Sequence, residues 1–173
     1  NKATVMEIEK PRCGNPSITL SETILFDSLP PRWPSPNITY GFIRFTSQIP
    51  QQHIRNAIEF AFQVWQRAFT GFRFTEVPQA MAPMITFSFL SGAHGDHQNF
   101  TGQDGILGHS FPPNSPLRRG QVHFDDGEAW GIDGSPAKKD LITVAIHEIG
   151  HALGLIEHSL NPNAQMFEKY TAV

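Results

Sequence analysis

Thiol chemistry is almost absent from this sequence. Cys13 is its single cysteine, so no disulfide framework can form within the chain. Long apolar runs are absent too, and none approaches the roughly 20 residues that a membrane-spanning helix needs. Neither sign of charge dominates: 13 Lys and Arg face 16 Asp and Glu, for a net charge of −3. That balance leaves no electrostatic footprint for nucleic acid. The basic pairs Arg118-Arg119 and Lys138-Lys139 read as solvated loop residues rather than a binding stripe. No internal repeat and no low-complexity tract is visible.

What is present is enough for one domain. Hydrophobic residues make up 39% of the 173, with 14 Phe among them, which supplies a real core. The first residue is Asn1 rather than Met, so an upstream segment is expected to be missing. Two sequons, Asn37-Ile38-Thr39 and Asn99-Phe100-Thr101, point weakly to secretion; Asn15-Pro16-Ser17 is disqualified by its proline.

Prolines at 11, 16, 30, 31, 34 and 36 punctuate residues 1–36, which read as an extended segment without its own core. Ile38 to Phe45 reads as a strand. Gln51 to Phe69 reads as a helix, with Ile54, Ile58, Ala61, Trp65 and Ala68 on one face. Phe72 to Phe74 and Ile85 to Phe89 alternate as strands do. Residues 91–136 are rich in Gly, Pro, Asp and His, with short strands near Ile106 and Val122. So long a loop needs an organiser, and bound metal would serve. Asp140 is placed to cap a helix from Leu141 to about Gly154.

Seven of the 8 histidines fall between 94 and 158; only His53 lies outside, and it reads as a surface residue. Packing does not explain that clustering, and metal binding does. Within it runs His147-Glu148-Ile149-Gly150-His151. Imidazoles four apart on a helix share a face and can reach one ion. Glu148, beside the first, can take a proton from metal-bound water. Gly154 allows a sharp turn that brings a third ligand from beyond the helix. The bland alternative is an amphipathic helix with chance histidines.

Several motifs, spread over nearly the whole chain, carry a resemblance to the matrix metalloproteinases (the matrixins, within the metzincin clan), in flavour the plant type. Pro11-Arg12-Cys13-Gly14-Asn15-Pro16 resembles the family's cysteine switch. Pro31-Arg32-Trp33 and Ile38-Thr39-Tyr40 resemble the start of its catalytic domain. His94-Gly95-Asp96, Gly105 to Phe111 and His123-Phe124-Asp125 resemble its metal loops, and the zinc helix with Met166 completes the set. The resemblance implies an α+β, zincin-like fold: a twisted, mostly parallel five-stranded sheet with two helices on one face. The family's C-terminal helix would fall beyond Val173. Residues 1–30 would be the end of a propeptide, and residues 31–173 a catalytic domain shortened at its C-terminal end.

The resemblance further implies a catalytic zinc on His147, His151 and His158, with Glu148 as general base. A structural zinc would be held by His94, Asp96, His109 and His123, leaving His97 unused. A calcium ion would be held by Asp125, Glu128 and the carbonyls of Gly102, Asp104 and Ile106. Cys13 would ligate the catalytic zinc in a latent form. Met166 would form the Met-turn, and Tyr170 a wall of the substrate pocket. The expected function is a latent, secreted zinc endopeptidase of extracellular proteins: a monomer, with its propeptide as intramolecular inhibitor and no membrane span in this chain. Anchoring outside the chain stays open. Substrate would lie along the edge strand from Ile106 to Phe111.

Four departures from the family pattern stand out. The family's third histidine falls where Glu157 stands, and His158 comes one residue late. Its eight-residue distance to Met166 matches the family, so one inserted residue makes His158 the expected ligand, with Glu157 the alternative. Thr101 replaces a calcium-binding aspartate, which would weaken or remove that ion. Ser17 replaces the aspartate that would pair with Arg12, which loosens latency. Glu168 replaces a proline after Met166. The displaced third ligand, Thr101 and the missing C-terminal helix keep a second reading in view, a catalytically impaired metal-binding protein of the same fold.

Overall fold

The computed structural model describes residues 12–15 and 32–170. Pro11, Pro16, Ser17 and Pro31, and with them most of the expected propeptide segment, lie outside the described residues. Ten elements follow in chain order: β1 (Arg12–Cys13), β2 (Asn37–Arg44), α1 (Gln51–Ala68), β3 (Arg73–Glu76), β4 (Ile85–Leu90), β5 (Ile106–Ser110), β6 (Gln121–Asp125), β7 (Trp130–Gly131), β8 (Lys139–Asp140) and α2 (Leu141–Leu153). A single 3₁₀ turn, Gln79–Met81, precedes β4. The larger sheet runs β1-β5-β6-β4-β2-β3. Among the described strand pairs of this sheet, β5/β6 is antiparallel and the rest are parallel. Strands β2 to β6 make the five-stranded, mostly parallel sheet of an α+β fold, and β1 adds a sixth strand at its edge. The expected helices form, α1 ending at Ala68 and α2 at Leu153.

The apolar stripe of α1 buries Ile54, Ala57, Ile58, Ala61, Phe62 and Trp65. Aromatic rings fill the space between it and the sheet: Phe62 lies 4.4 Å from Tyr40, and Phe87 lies 6.2 Å from Phe124. Helix α2 is different. Leu141, Val144 and Ala145 are buried as the periodicity predicts, but so is every residue from Val144 to Leu153. A helix covered on all sides belongs to the interior. Its polar face, bearing His147, Glu148 and His151, has been taken inside with the rest.

Two indoles pin this helix. Trp65 Nε1 donates to the Ile146 carbonyl at 2.8 Å, and Trp33 Nε1 to that of Ala152 at 2.9 Å. At its start the Asp140 carboxylate accepts from the Thr143 amide at 2.8 Å, capping an orphan donor. At its end Gly154 takes φ +114°, a left-handed conformation that glycine adopts without steric cost. The chain then reverses beneath the helix: the Ser159 amide donates to the Met166 carbonyl at 2.7 Å. A Cβ on Gly150 would stand 2.4 Å from Met166 Sδ, so only glycine lets Met166 pack there.

Candidate metal centre and active site

Three imidazoles converge on one point. His151 Nε2 lies 3.1 Å from His147 Nε2 and 3.1 Å from His158 Nε2. The outer nitrogens of the helical pair are engaged: His147 Nδ1–H donates to the Gln165 carbonyl at 2.8 Å, and His151 Nδ1–H to that of Leu155 at 2.6 Å. A carbonyl can only accept, so both protons sit on Nδ1. Burial lowers both pKa values, to about 4 for His147 and about 3 for His151. Both rings are therefore neutral, and their Nε2 lone pairs face each other. Such an arrangement is repulsive unless a cation lies between the lone pairs. Tetrahedral zinc with bonds of about 2.0–2.1 Å sets its ligand nitrogens about 3.3 Å apart, close to the separations here. Glu157, by contrast, is exposed and belongs to neither metal-binding cluster found among the described residues.

The fourth corner is Cys13, whose sulfur lies within 4.8 Å of all three ring nitrogens. Strand β1 brings it there. Arg12 pairs in parallel with Ile106 and Cys13 with Gly108, the Arg12 amide donating to Gly105 O at 3.1 Å and the Gly14 amide to Gly108 O at 2.7 Å. On its other side the Cys13 amide donates to Glu168 O at 3.0 Å. Residues 12–14 thus occupy the edge where an extended substrate was expected. Asn15 completes the attachment: its side-chain Nδ2 donates to Ser110 O at 2.7 Å while its Oδ1 accepts from Ser110 N at 2.9 Å. Burial and the nearby Glu148 carboxylate raise the Cys13 thiol pKa well above its ordinary value. A zinc ion would reverse that preference by stabilising the thiolate.

Glu148 is buried and points into the same space. Burial pushes its pKa up to about 7, against the pull of the Cys13 thiol and the Ser110 hydroxyl. Its Oε2 accepts from Ser110 Oγ at 3.0 Å, and its Oε1 is buried without a partner. Beside it opens a cavity of about 360 Å³ lined by Leu107, Val144, His147 and Tyr170 among others. The Tyr170 hydroxyl accepts from the Asp140 amide at 2.9 Å.

A second cluster lies on the far side of the sheet edge. His109 and His123 are directly opposed across the antiparallel β5/β6 pair, so their side chains leave the sheet on one face. Asp96 Oδ2 lies 2.8 Å from each of His109 Nε2, His123 Nδ1 and His94 Nε2. Burial lowers the pKa of His123 to about 4 and also lowers that of His109. Burial alone would raise that of Asp96, but the Gln98 amide and His109 hold its carboxyl well below the usual range. Three imidazoles and one carboxylate at these separations suit a closed tetrahedral zinc site. His97 is exposed on the same loop.

The residue range decides the family. The matrixin model of peptidase family M10 matches residues 32–173. The chain belongs to the matrixins. It is 38% identical over 170 residues to macrophage metalloelastase of Oryctolagus cuniculus, covering 97% of this chain and 34% of that protein. It is 37% identical to stromelysin-2 of Rattus norvegicus, covering 96% and 33%. Against neutrophil collagenase of Homo sapiens the identity is 36%, covering 98% and 34%. The chain spans about a third of the length of these curated relatives.

The loop expected to bind calcium carries an unexpected charge. Asp125 is fully buried, its Oδ2 accepting from the Gly102 amide at 3.0 Å and its Oδ1 from that of Gly127 at 2.8 Å. Glu128 Oε1 accepts from the Gly105 amide at 3.3 Å. Burial raises the Glu128 pKa, and Lys139 opposes the rise. The Lys139 ammonium sits 2.7 Å from Asp104 Oδ1, bringing a positive charge into the loop that lacks an aspartate at 101. Sequence reading missed three participants: Asn15, Ser110 and Lys139. For Ser110 one signal existed. It follows His109 in a strand, so its side chain must leave the opposite face, toward α2.

Proposed function

We propose that this matrixin is a latent zinc endopeptidase acting on extracellular proteins, with His147, His151 and His158 holding the catalytic zinc. The observation that carries the reading is the inward-facing set of neutral imidazoles beside a buried carboxylate with one free oxygen. Zinc held there supplies a Lewis acid for the scissile carbonyl and brings the pKa of water to about 7. Glu148 accepts the proton of the attacking water, at Oε1, and returns it to the leaving amine. Strand β5 offers its backbone to an extended substrate, and a substrate side chain enters the cavity walled by Tyr170. His94, Asp96, His109 and His123 hold a structural zinc that ties the 94–96 loop to the sheet. Residues 1–30 act as propeptide and 31–173 as the catalytic unit. Two exposed sequon asparagines, Asn37 and Asn99, support secretion; no helix among the described residues is long and apolar enough to cross a membrane. The protein works as a monomer.

Cys13 keeps the enzyme latent in this reading. Replacing it with alanine in the full chain is expected to raise hydrolysis of a generic peptide by about tenfold or more, because a tethered competitor of millimolar effective concentration is lost. A zinc chelator should abolish the gain. Equal activity in the two proteins would show that Cys13 does not block the site. No chelator-sensitive hydrolysis by either would end the peptidase reading.

The 102–106 and 125–128 segments bind calcium weakly in this reading, through Asp125, Glu128 and the carbonyls of Gly102, Asp104 and Ile106. Thr101 subtracts a negative charge and Lys139 adds a positive one. Lys139→Met should therefore tighten calcium binding about tenfold, through ~1.4 kcal/mol of relieved repulsion. Melting temperature followed against calcium concentration measures this. A dependence unchanged by the substitution would show that Lys139 is not opposing the ion.

A further inference from the structure

Ser110 stands between the two halves of the site and belongs to neither ligand set. It is buried at 1% exposure. Its neighbour His109 leaves β5 on the face of the second cluster, so Ser110 leaves on the face of α2. There its Oγ lies 3.0 Å from Glu148 Oε2 and 2.9 Å from the Glu148 carbonyl oxygen. A hydroxyl has one hydrogen to give. The carbonyl is neutral, and the side-chain oxygen carries charge once Glu148 is ionised. Charge-assisted hydrogen bonds are roughly twice as strong as neutral ones, so the ionised carboxylate takes the hydrogen.

We infer that Ser110 is a positioning residue for Glu148, holding Oε2 so that Oε1 alone is presented to the reacting water. The inference rests on the proposed role of Glu148 as proton acceptor. The geometry supports a division of labour between the two oxygens. Oε2 has a fixed donor, and Oε1 is buried with no partner. A glutamate side chain has three rotatable torsions, and in a buried site of this size an untethered carboxylate could turn away from the water. Fixing one oxygen from a rigid strand removes that freedom. The hydroxyl comes from β5, the strand that also carries the peptide-binding edge. Carboxylate and substrate backbone are therefore referenced to the same element, which matters because misplacing a catalytic group by about 1 Å can cost about a hundredfold in rate.

The test uses the full chain carrying Cys13→Ala, compared with the same chain carrying Ser110→Ala or Ser110→Thr. Ser110→Ala is expected to lower kcat about ten- to hundredfold, the range for losing a hydrogen bond to a charged group. KM should stay within about twofold, since an interaction acting on the base leaves ground-state binding alone. Zinc content should stay at the parent's value. Ser110→Thr keeps the hydroxyl and should recover most of the kcat. A crystal structure supplies the reading independent of activity, with Glu148 in one rotamer in the parent and spread over several in Ser110→Ala. Parental kcat in Ser110→Ala, or a single unchanged Glu148 rotamer there, overturns the inference and leaves the peptidase reading intact. So does a drop in zinc content in Ser110→Ala, which would make the residue a structural support of the metal centre. An inactive parent overturns both.

Discussion

Glu148→Gln, made in the full chain with Cys13→Ala, should lower kcat/KM by about 10²–10⁴-fold, the usual contribution of a positioned general base. Glutamine keeps the size and shape of the side chain and can still accept the Ser110 hydrogen. It cannot accept a proton from water. Zinc content and melting temperature should stay at the parent's values, because Glu148 is no ligand. Hydrolysis within about threefold of the parent would remove Glu148 from the chemistry and leave the metal cluster without a base.

His158→Ala should weaken the catalytic zinc about a hundredfold or more, given that losing even an outer-shell partner of a ligand costs 10–100-fold. Glu157→Ala should leave that zinc unaffected. The contrast follows from placement: His158 Nε2 lies 3.1 Å from His151 Nε2, whereas Glu157 is exposed and outside the cluster. Zinc counted after dialysis against a moderate chelator should fall from two per chain to one in His158→Ala, the remaining ion sitting with Asp96. Two ions retained in His158→Ala, with one lost in Glu157→Ala, would transfer the role to the carboxylate.

Much of this was legible before any coordinates. The spacing of His147 and His151 needs only the pitch of a helix to become a shared face. The alternation in Ile85 to Phe89 needs only the pleat of a strand. The third histidine was harder, because a residue inserted after Gly154 changes a turn, and a turn's path has no fixed period. The structure lets the chain leave the helix at Gly154 and return under it at Met166, with His158 facing the pair. Asn15, Ser110 and Lys139 were illegible for a common reason. Their partners lie 95, 38 and 35 positions away, and polar residues of these types are ordinarily solvent groups. The all-round burial of α2 was hidden in the same way. Its polar face looks solvent-directed in a helical projection, but strands β1 and β5 and the turn at Met166 close it. The sixth strand was equally silent, since two residues in a proline-punctuated tract show no period at all.

The clasp at Asn15 has one more meaning. A side-chain amide can present an N–H and a C=O side by side, as a peptide group does, and Asn15 turns such a pair to the backbone of Ser110. Residues 12–15 thus add to their ladder a counterfeit link, a pairing unit that lies off the main chain. Under the proposed peptidase function, a segment anchored by such a link would hold its place at the edge strand without presenting there a bond to be broken.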